Sequence, residues 1–415
     1  MKKVLIICDL FPPAFGPRMG YLTKYLKTLD WEVVVVTEQL EDQTFAFMDG
    51  QCKVRSVNFY KSKRNRSLRW LFVFLGELLF KYKSRKLYHA AIQELEDESF
   101  DLILSSSYRS FPLWAATKAS KKKNLPLVVD IRDIIEQYTG YEFIAQPLPD
   151  IPGIKPLIDI LFKRASLNER NKALRAANHI ITISPWHVSI LKEYNKNISL
   201  IYNGYDPELF YPTHTIADRF IISYTGRLLS LSMRNPELLL KALKRLSDDG
   251  IISDSDCRVE WYIDQASEIT LKEESSKFGL SNYMNFMGYV PATKIPEILN
   301  KSSILLLLTN KADEHGPKGI MTTKFFEFLA VEKPILCVQS DEDCLEQVIN
   351  ETNSGLAAKN EEEVYRFIQQ QYNEWKRTGR TKTNINKEKA TVFSRKEQAL
   401  QFIRIFEKVL ENHNG

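Results

Sequence analysis

The chain has 415 residues, 44% hydrophobic and 26% charged, an ordinary globular composition in a length that one hydrophobic core rarely supports, so two domains are expected. The net charge of +5 is too weak to indicate nucleic acid as a partner. Five scattered cysteines, Cys8, Cys52, Cys257, Cys337 and Cys344, form no CxxC pair, which argues against a disulfide framework or a zinc site and favours a reducing compartment.

In chain order, Met1-Lys2-Lys3 leads straight into an apolar run that Asp9 ends, so no signal peptide is expected. Nearly continuous apolar runs at 4–8, 32–37, 101–105 and 127–131 read as buried parallel strands. Amphipathic helices such as 20–29 and 111–123 lie between them. The first strand runs into Phe11-Pro12-Pro13-Ala14-Phe15-Gly16-Pro17-Arg18-Met19-Gly20. There glycine permits close backbone approach, and the helix behind turns its positive end toward an anion. The loop lacks GxGxxG, which disfavours a nicotinamide site. Residues 61–86 carry nine Lys or Arg against a single Glu, around the apolar stretch 70–80. That stretch is well short of the roughly 20 residues that span a bilayer. As one helix, the segment presents Trp70 and Phe74 with basic groups at both ends. It reads either as an interfacial helix drawn to anionic lipid or as a domain helix with a solvated basic face. Asp130-Ile131-Arg132-Asp133 closes the 127–131 strand. Charged groups at a strand's carboxyl end face the ligand crevice of an open α/β sheet, so these either contact a ligand or form an internal Arg–Asp pair.

Asn203-Gly204-Tyr205-Asp206-Pro207 and Tyr211-Pro212-Thr213 are turn signals that mark a hinge over 203–218. The alternation restarts with 220–225, 259–263, 304–309 and 334–338, which predicts a second parallel sheet. The expected architecture is α/β, two Rossmann-like domains facing across a central cleft: 1–203, 204–394, and a charged helix at 395–415 crossing back to the first domain. Gly226-Arg227 with Arg234 places two guanidiniums in a strand-to-helix loop, which suits a pyrophosphate. Asn235 and Pro236 read as an N-cap and first helical residue. A mere surface charge at Arg234 would oppose the helix dipole. Glu327 stands in the apolar run 325–331, where an unpaired buried carboxylate is costly. It either accepts from the hydroxyls of a ribose, pairs with Lys324 or Lys333, or is exposed. The six histidines have no metal-ligand spacing, and only His315, in Asp313-Glu314-His315-Gly316, lies near the suspected site.

Together these segments resemble the GT-B glycosyltransferases, specifically glycosyltransferase family 4. The resemblance covers essentially the whole chain. It is carried by the Phe11-to-Gly16 loop, Asp130-Ile131-Arg132-Asp133, Asn203-Gly204-Tyr205-Asp206, Gly226-Arg227, Gly288-Tyr289-Val290 and the 324–330 segment with Pro334. The variant with Arg18 and Arg234-Asn235-Pro236 looks like a bacterial branch acting on surface polysaccharides. The resemblance implies a UDP- or GDP-linked sugar donor held mainly by the second domain and a glycan or polyprenyl-linked acceptor, with neither metal nor cofactor. It puts Arg227 and Arg234 on the donor diphosphate, Glu327 on the ribose, Tyr289 and Val290 beside the base, and Lys324 among the donor-binding residues. Gly16 and Arg18 would approach the donor from the first domain. Asp130, Arg132 and Asp133 would be catalytic, with Glu314 and His315 near the sugar. Retention of anomeric configuration by front-face attack is implied, in a cytoplasmic enzyme peripheral to the inner face of the plasma membrane through 61–86. Three departures stand out. Gly319 occupies the position of the first of two family glutamates, Ser232 that of a lysine, and Tyr262-Ile263-Asp264 lacks the glycines usually found after it. An epimerase of the same fold and a non-catalytic assembly partner are the alternatives.

Overall fold

The computed structural model describes residues 1–60, 66–137, 155–213, 215, 218–312 and 318–414. It divides into two compact units, Met1–Tyr202 with Arg395–Gly415, and Asn203–Ser394. In the first, β1 (Lys2–Cys8), β2 (Trp31–Glu38), β3 (Lys53–Val57), β4 (Leu102–Ser107), β5 (Leu127–Ile131), β6 (His179–Thr182) and β7 (Ile198–Leu200) form one sheet. Its order is β3-β2-β1-β4-β5-β6-β7, with every pairing parallel. The helices are α1 (Pro17–Thr28), α2 (Arg66–Phe80), α3 (Tyr82–Asp97), α4 (Leu113–Lys123), α5 (Lys155–Ala176) and α6 (Pro185–Leu191).

The second unit repeats the plan. Its sheet is built of β8 (Phe220–Thr225), β9 (Cys257–Tyr262), β10 (Met284–Phe286), β11 (Ile304–Leu308), β12 (Ile335–Val338) and β13 (Gly355–Ala358), in the order β10-β9-β8-β11-β12-β13 and again all parallel. Around it lie α7 (Glu237–Asp248), α8 (Gln265–Lys277), α9 (Ile295–Lys301), α10 (Thr323–Ala330), α11 (Cys344–Thr352), α12 (Glu361–Thr378) and α13 (Lys387–Thr391). The chain then returns to the first unit as α14 (Arg395–Asn414).

Period-two burial explains why both faces of the first sheet need helices. Leu5 and Ile7 of β1 join one core cluster with Leu87 and Ala91 of α3 and Ala115 and Ala116 of α4. Val4 and Ile6 join the opposite cluster, with Leu22 and Leu26 of α1 and Phe402 and Phe406 of α14. The α14 helix is therefore part of the core of the first unit, where the Phe406 ring lies 5.3 Å from that of Trp31.

Three local readings need correction. The first helix begins at Pro17, which moves Arg18 from the loop into the first helical turn. Residues 66–97 form two helices, because Lys81 adopts a left-handed φ of 56° and the Glu77 carboxylate caps the second, accepting from Lys83 N and Ser84 N. β6, β7, β10 and β13 were not expected as strands, and neither was β3. It is a half-buried edge strand of alternating polar residues that no apolar run announces. In each sheet the strand order reverses beside the first strand, between β1 and β4 and between β8 and β11. Those are the points where an open α/β sheet leaves a crevice at its carboxyl ends. Among the described residues no helix is long and apolar enough to cross a membrane.

Phe406 is fully buried, so Phe406→Ala is expected to cost about 3–5 kcal/mol. Urea unfolding followed at Trp31, which packs on it, should report that loss.

Candidate functional site

In the second unit, the carboxyl ends of β8 and β11 and the start of α10 line one cavity, with Tyr224, Arg234, Thr309, Asn310, Thr322 and Lys324 among its walls. β8 runs into Gly226, whose φ of 119° favours glycine. A Cβ there would also fall on Lys324 Nζ, so glycine is what makes room for the lysine. The Lys324 ammonium lies 4.8 Å from the centroid of the Tyr224 ring. It belongs to the first turn of α10, where no side chain caps the helix and no acidic residue stands. That helix end therefore carries its positive partial charge into the cavity uncompensated.

Arg234 shares this space. Its Nη1 donates to the Arg227 carbonyl, which also accepts from Tyr224 Oη at 2.8 Å. Asn310 Nδ2, from the end of β11, donates to the carbonyls of Leu231 and Ser232, tying the Arg234 loop across the switch point. Burial, and then the neighbouring Arg234 charge, lower Lys324 to about 7, against the pull of Glu327. Asp341 is the acid among the described lining residues, and it is engaged in capping α11, accepting from Leu345 N at 2.8 Å and Glu346 N at 2.9 Å. The cavity thus gathers two cations and a helix N-terminus, an arrangement suited to a multiply charged anion.

Of the residues expected here, Arg234 and Lys324 line the cavity, and Glu327 lies one turn along α10, half-buried. Arg227 does not line it. Its side chain is 64% exposed and pairs with Asp264 at 3.4 Å. Tyr289 is 64% exposed and Val290 half-buried, in a loop that contributes no wall to the cavity. Glu314 and His315 lie outside the described residues. Sequence reasoning missed Tyr224, Thr309, Asn310 and Thr322. Strand ends flanking a topological switch point were the signal that could have found Thr309 and Asn310.

In the first unit, two expected ligand contacts are corrected. Arg18 is 4% and Asp130 0% exposed, and they hold each other. Arg18 Nε lies 3.1 Å from both Asp130 oxygens and its Nη2 2.8 Å from Oδ1. The remaining donors reach the carbonyls of Ile201 and Tyr202, and Ser106 Oγ completes the carboxylate at 2.9 Å. The pair is buried and ties α1 to β5. Gly16 is buried as well. A Cβ there would stand 2.7 Å from Phe11 Cα, so this glycine closes its own loop.

Arg132 and Asp133 fare differently. Arg132 pairs with Asp9, at the end of β1, and Asp9 also accepts from Tyr108 N at 3.1 Å across the β1–β4 switch point. Asp133 remains partly exposed, and enclosure of its carboxyl pushes it up to about 6. Its Oδ1 accepts from Gln137 Nε2 at 3.1 Å, while Gln137 Oε1 lies 3.0 Å from His187 Nε2. Burial lowers His187 to about 4, so it is neutral. The tautomer carrying Nε2–H satisfies Gln137 and leaves Nδ1 facing Thr182 Oγ1 at 3.1 Å. Among the described residues no group of three His, Cys, Asp or Glu is placed to hold a metal ion.

The glycosyltransferase family 4 model matches residues 18–209, and the glycosyl transferases group 1 model matches residues 210–389. The chain belongs to glycosyltransferase family 4. No curated protein matches it in sequence. Solved structures share the GT-B fold over nearly the full length. Sucrose-phosphate synthase from Thermosynechococcus elongatus is 15% identical with a TM-score of 0.67, over 99% of this chain and 100% of that one. Anabaena HepE, in complex with UDP, is 16% identical with a TM-score of 0.66, over 98% and 100%. The lipopolysaccharide outer core galactosyltransferase WaaB is 13% identical with a TM-score of 0.59, over 98% and 99%. At such identities the structures establish the two Rossmann-like domains, and the family models supply the reaction class, glycosyl transfer.

Two measurements separate structural from ligand-facing charge in this family member. Asp130→Ala leaves a buried guanidinium unpaired and is expected to cost about 3–5 kcal/mol of stability in denaturant unfolding. The same variant should bind pyrophosphate as the native protein does. Lys324, by contrast, is charged below about 7 and loses its proton above, and an anion binds the charged form better. Pyrophosphate affinity by calorimetry should therefore be full near pH 6 and fall as pH rises through 7 toward about 9. Lys324→Met should abolish that part of the pH dependence.

Proposed function

We propose that this glycosyltransferase is retaining and moves a sugar from a UDP- or GDP-linked donor to a glycan or polyprenyl-linked acceptor in bacterial surface polysaccharide synthesis. The observation that carries this reading is the pair of cations, Arg234 and Lys324, gathered with the α10 N-terminus on one cavity. A donor diphosphate is the multiply charged anion that a glycosyltransferase must hold. In this reading Arg234 and Lys324 take the diphosphate, Arg227 stands outside the cavity as a further cation, and Glu327 accepts from the ribose hydroxyls. Tyr289 and Val290 flank the base, and Glu314 and His315 lie toward the sugar. HepE was solved with UDP and with UDP-glucose, which favours a uridine donor. WaaB, a lipopolysaccharide enzyme by its description, favours a surface glycan as acceptor.

The transfer breaks the bond between the anomeric carbon and the phosphate oxygen, and the electron pair leaves with the diphosphate. The acceptor oxygen bonds to the same face of that carbon, and its proton passes to the departing phosphate. The negative charge that develops there is stabilised by Lys324 and Arg234, held in place before the reaction starts, which is the form of electrostatic catalysis that lowers a barrier most. No metal or cofactor is assigned a part. Asp133, ionised above about 6, and Arg132 are assigned to the acceptor. The enzyme is placed at the cytoplasmic face of the plasma membrane, in peripheral contact with anionic lipid through 61–86.

Arg234→Ala is expected to weaken UDP binding by about 1.5–3 kcal/mol, the range for a hydrogen bond to a charged group, with thermal unfolding unchanged. Unchanged affinity in calorimetry would refute the placement of the diphosphate. Nucleotide release from UDP- and GDP-sugars that rises with acceptor supports transfer. An isomerised donor would make the protein an epimerase, and no turnover of any donor would leave a non-catalytic partner.

A further inference from the structure

The peripheral contact just proposed rests on a single segment, but the structure shows that segment paired with another. Phe74 of α2 stacks on Phe162 of α5 at 5.9 Å, and Lys81, just after α2, pairs with Glu169 of α5. Both contacts join positions 88 residues apart, so the helices run side by side in the same direction for two turns. This register sets Leu157, Ile160 and Leu161 of α5 level with residues 69–73 of α2. Among the described residues, seventeen large hydrophobic side chains are exposed, and eight belong to this pair of helices. On α2 they are Phe72, Leu75, Leu78, Leu79 and Phe80, and on α5 Leu157, Ile160 and Leu161, each between 41 and 66% exposed. The spacings 72, 75, 79 and 157, 160, 161 each follow one helical face. A contiguous exposed apolar face is the kind of surface that marks an interaction site.

The charges around the face say which partner. The two helices carry three acids, and none is offered to solvent unengaged. Glu77 caps α3, Asp159 is 3% exposed, and Glu169 pairs with Lys81. No acid stands in the first turn of either helix. Arg164 and Arg85 are exposed. Not every lysine of 61–86 is available, because Lys83 pairs with Glu38 and lies over the Phe59 and Phe111 rings. What remains is an apolar plate rimmed by positive charge. A second copy meeting it through a twofold axis would bring like charge against like charge, whereas anionic phospholipid headgroups neutralise the rim while the acyl region receives the plate.

We infer that α2 and α5 together form one docking plate for an anionic bilayer surface, with the side chains of both helices entering the lipid. This inference rests on the peripheral contact proposed above and adds α5 as an equal half of it.

The test is flotation of the full chain with vesicles of phosphatidylglycerol and phosphatidylcholine in equal parts, against vesicles of phosphatidylcholine alone. Two double variants at exposed positions probe the halves separately, Leu79→Asp with Phe80→Asp on α2 and Leu157→Asp with Leu161→Asp on α5. Circular dichroism melting confirms that each is folded. The native chain is expected to float with the anionic vesicles and not with the neutral ones, and each variant to lose about tenfold or more in partitioning. If the α2 variant detaches while the α5 variant floats like the native chain, the shared plate is overturned and attachment through α2 alone stands. A native chain that never floats removes both proposals. Equal binding to neutral vesicles removes the anionic rim. Variants that turn a dimer into a monomer in sedimentation without changing flotation would assign the face to a second copy.

Discussion

The cavity of the second unit depends on holding two basic side chains, Arg234 and Lys324, close together. Enclosure puts a desolvation cost on the lysine, and the guanidinium sharing its cavity adds repulsion. The arginine cannot release a proton at any accessible pH, so the strain appears in Lys324, lowered to about 7. The fold sustains this arrangement by removing alternatives. Gly226 leaves the ammonium no Cβ to collide with, the Tyr224 ring offers it a π face, and Arg234 is anchored through the Arg227 carbonyl. A site prepared in this way gains most from a ligand that brings two negative charges at once.

The first unit shows the opposite use of charge. Arg18 and Asp130 satisfy one another and the carbonyls around them so completely that they lock α1 to β5 and to the end of β7. The Arg18 guanidinium also lies 5.4 Å from the Phe402 ring of α14, so one buried pair joins four elements of the unit. Two and three residues further on, Arg132 and Asp133 lie where the strand ends and are only partly covered. One tetrapeptide therefore holds a fully buried carboxylate inside the strand and a partly exposed one just beyond the strand's end.

That division was not legible from the sequence. The partner of Asp130 is 112 residues away, and nothing in the spacing of Asp130, Arg132 and Asp133 says which carboxylate an arginine of α1 will claim. The long apolar strands were legible, because burial on both faces writes itself as continuous Val, Ile and Leu. The edge strand β3 was not, since its exposed alternation resembles a loop. Lys324 and Arg234 stood out as charges beside glycine and proline, whereas Thr309, Asn310 and Thr322 line the cavity through the topology of the sheet and carry no compositional mark. The break at Lys81 escaped notice for a related reason. A lysine in a left-handed conformation has no sequence signature, and what enforces it is the Glu77 cap on the helix that follows.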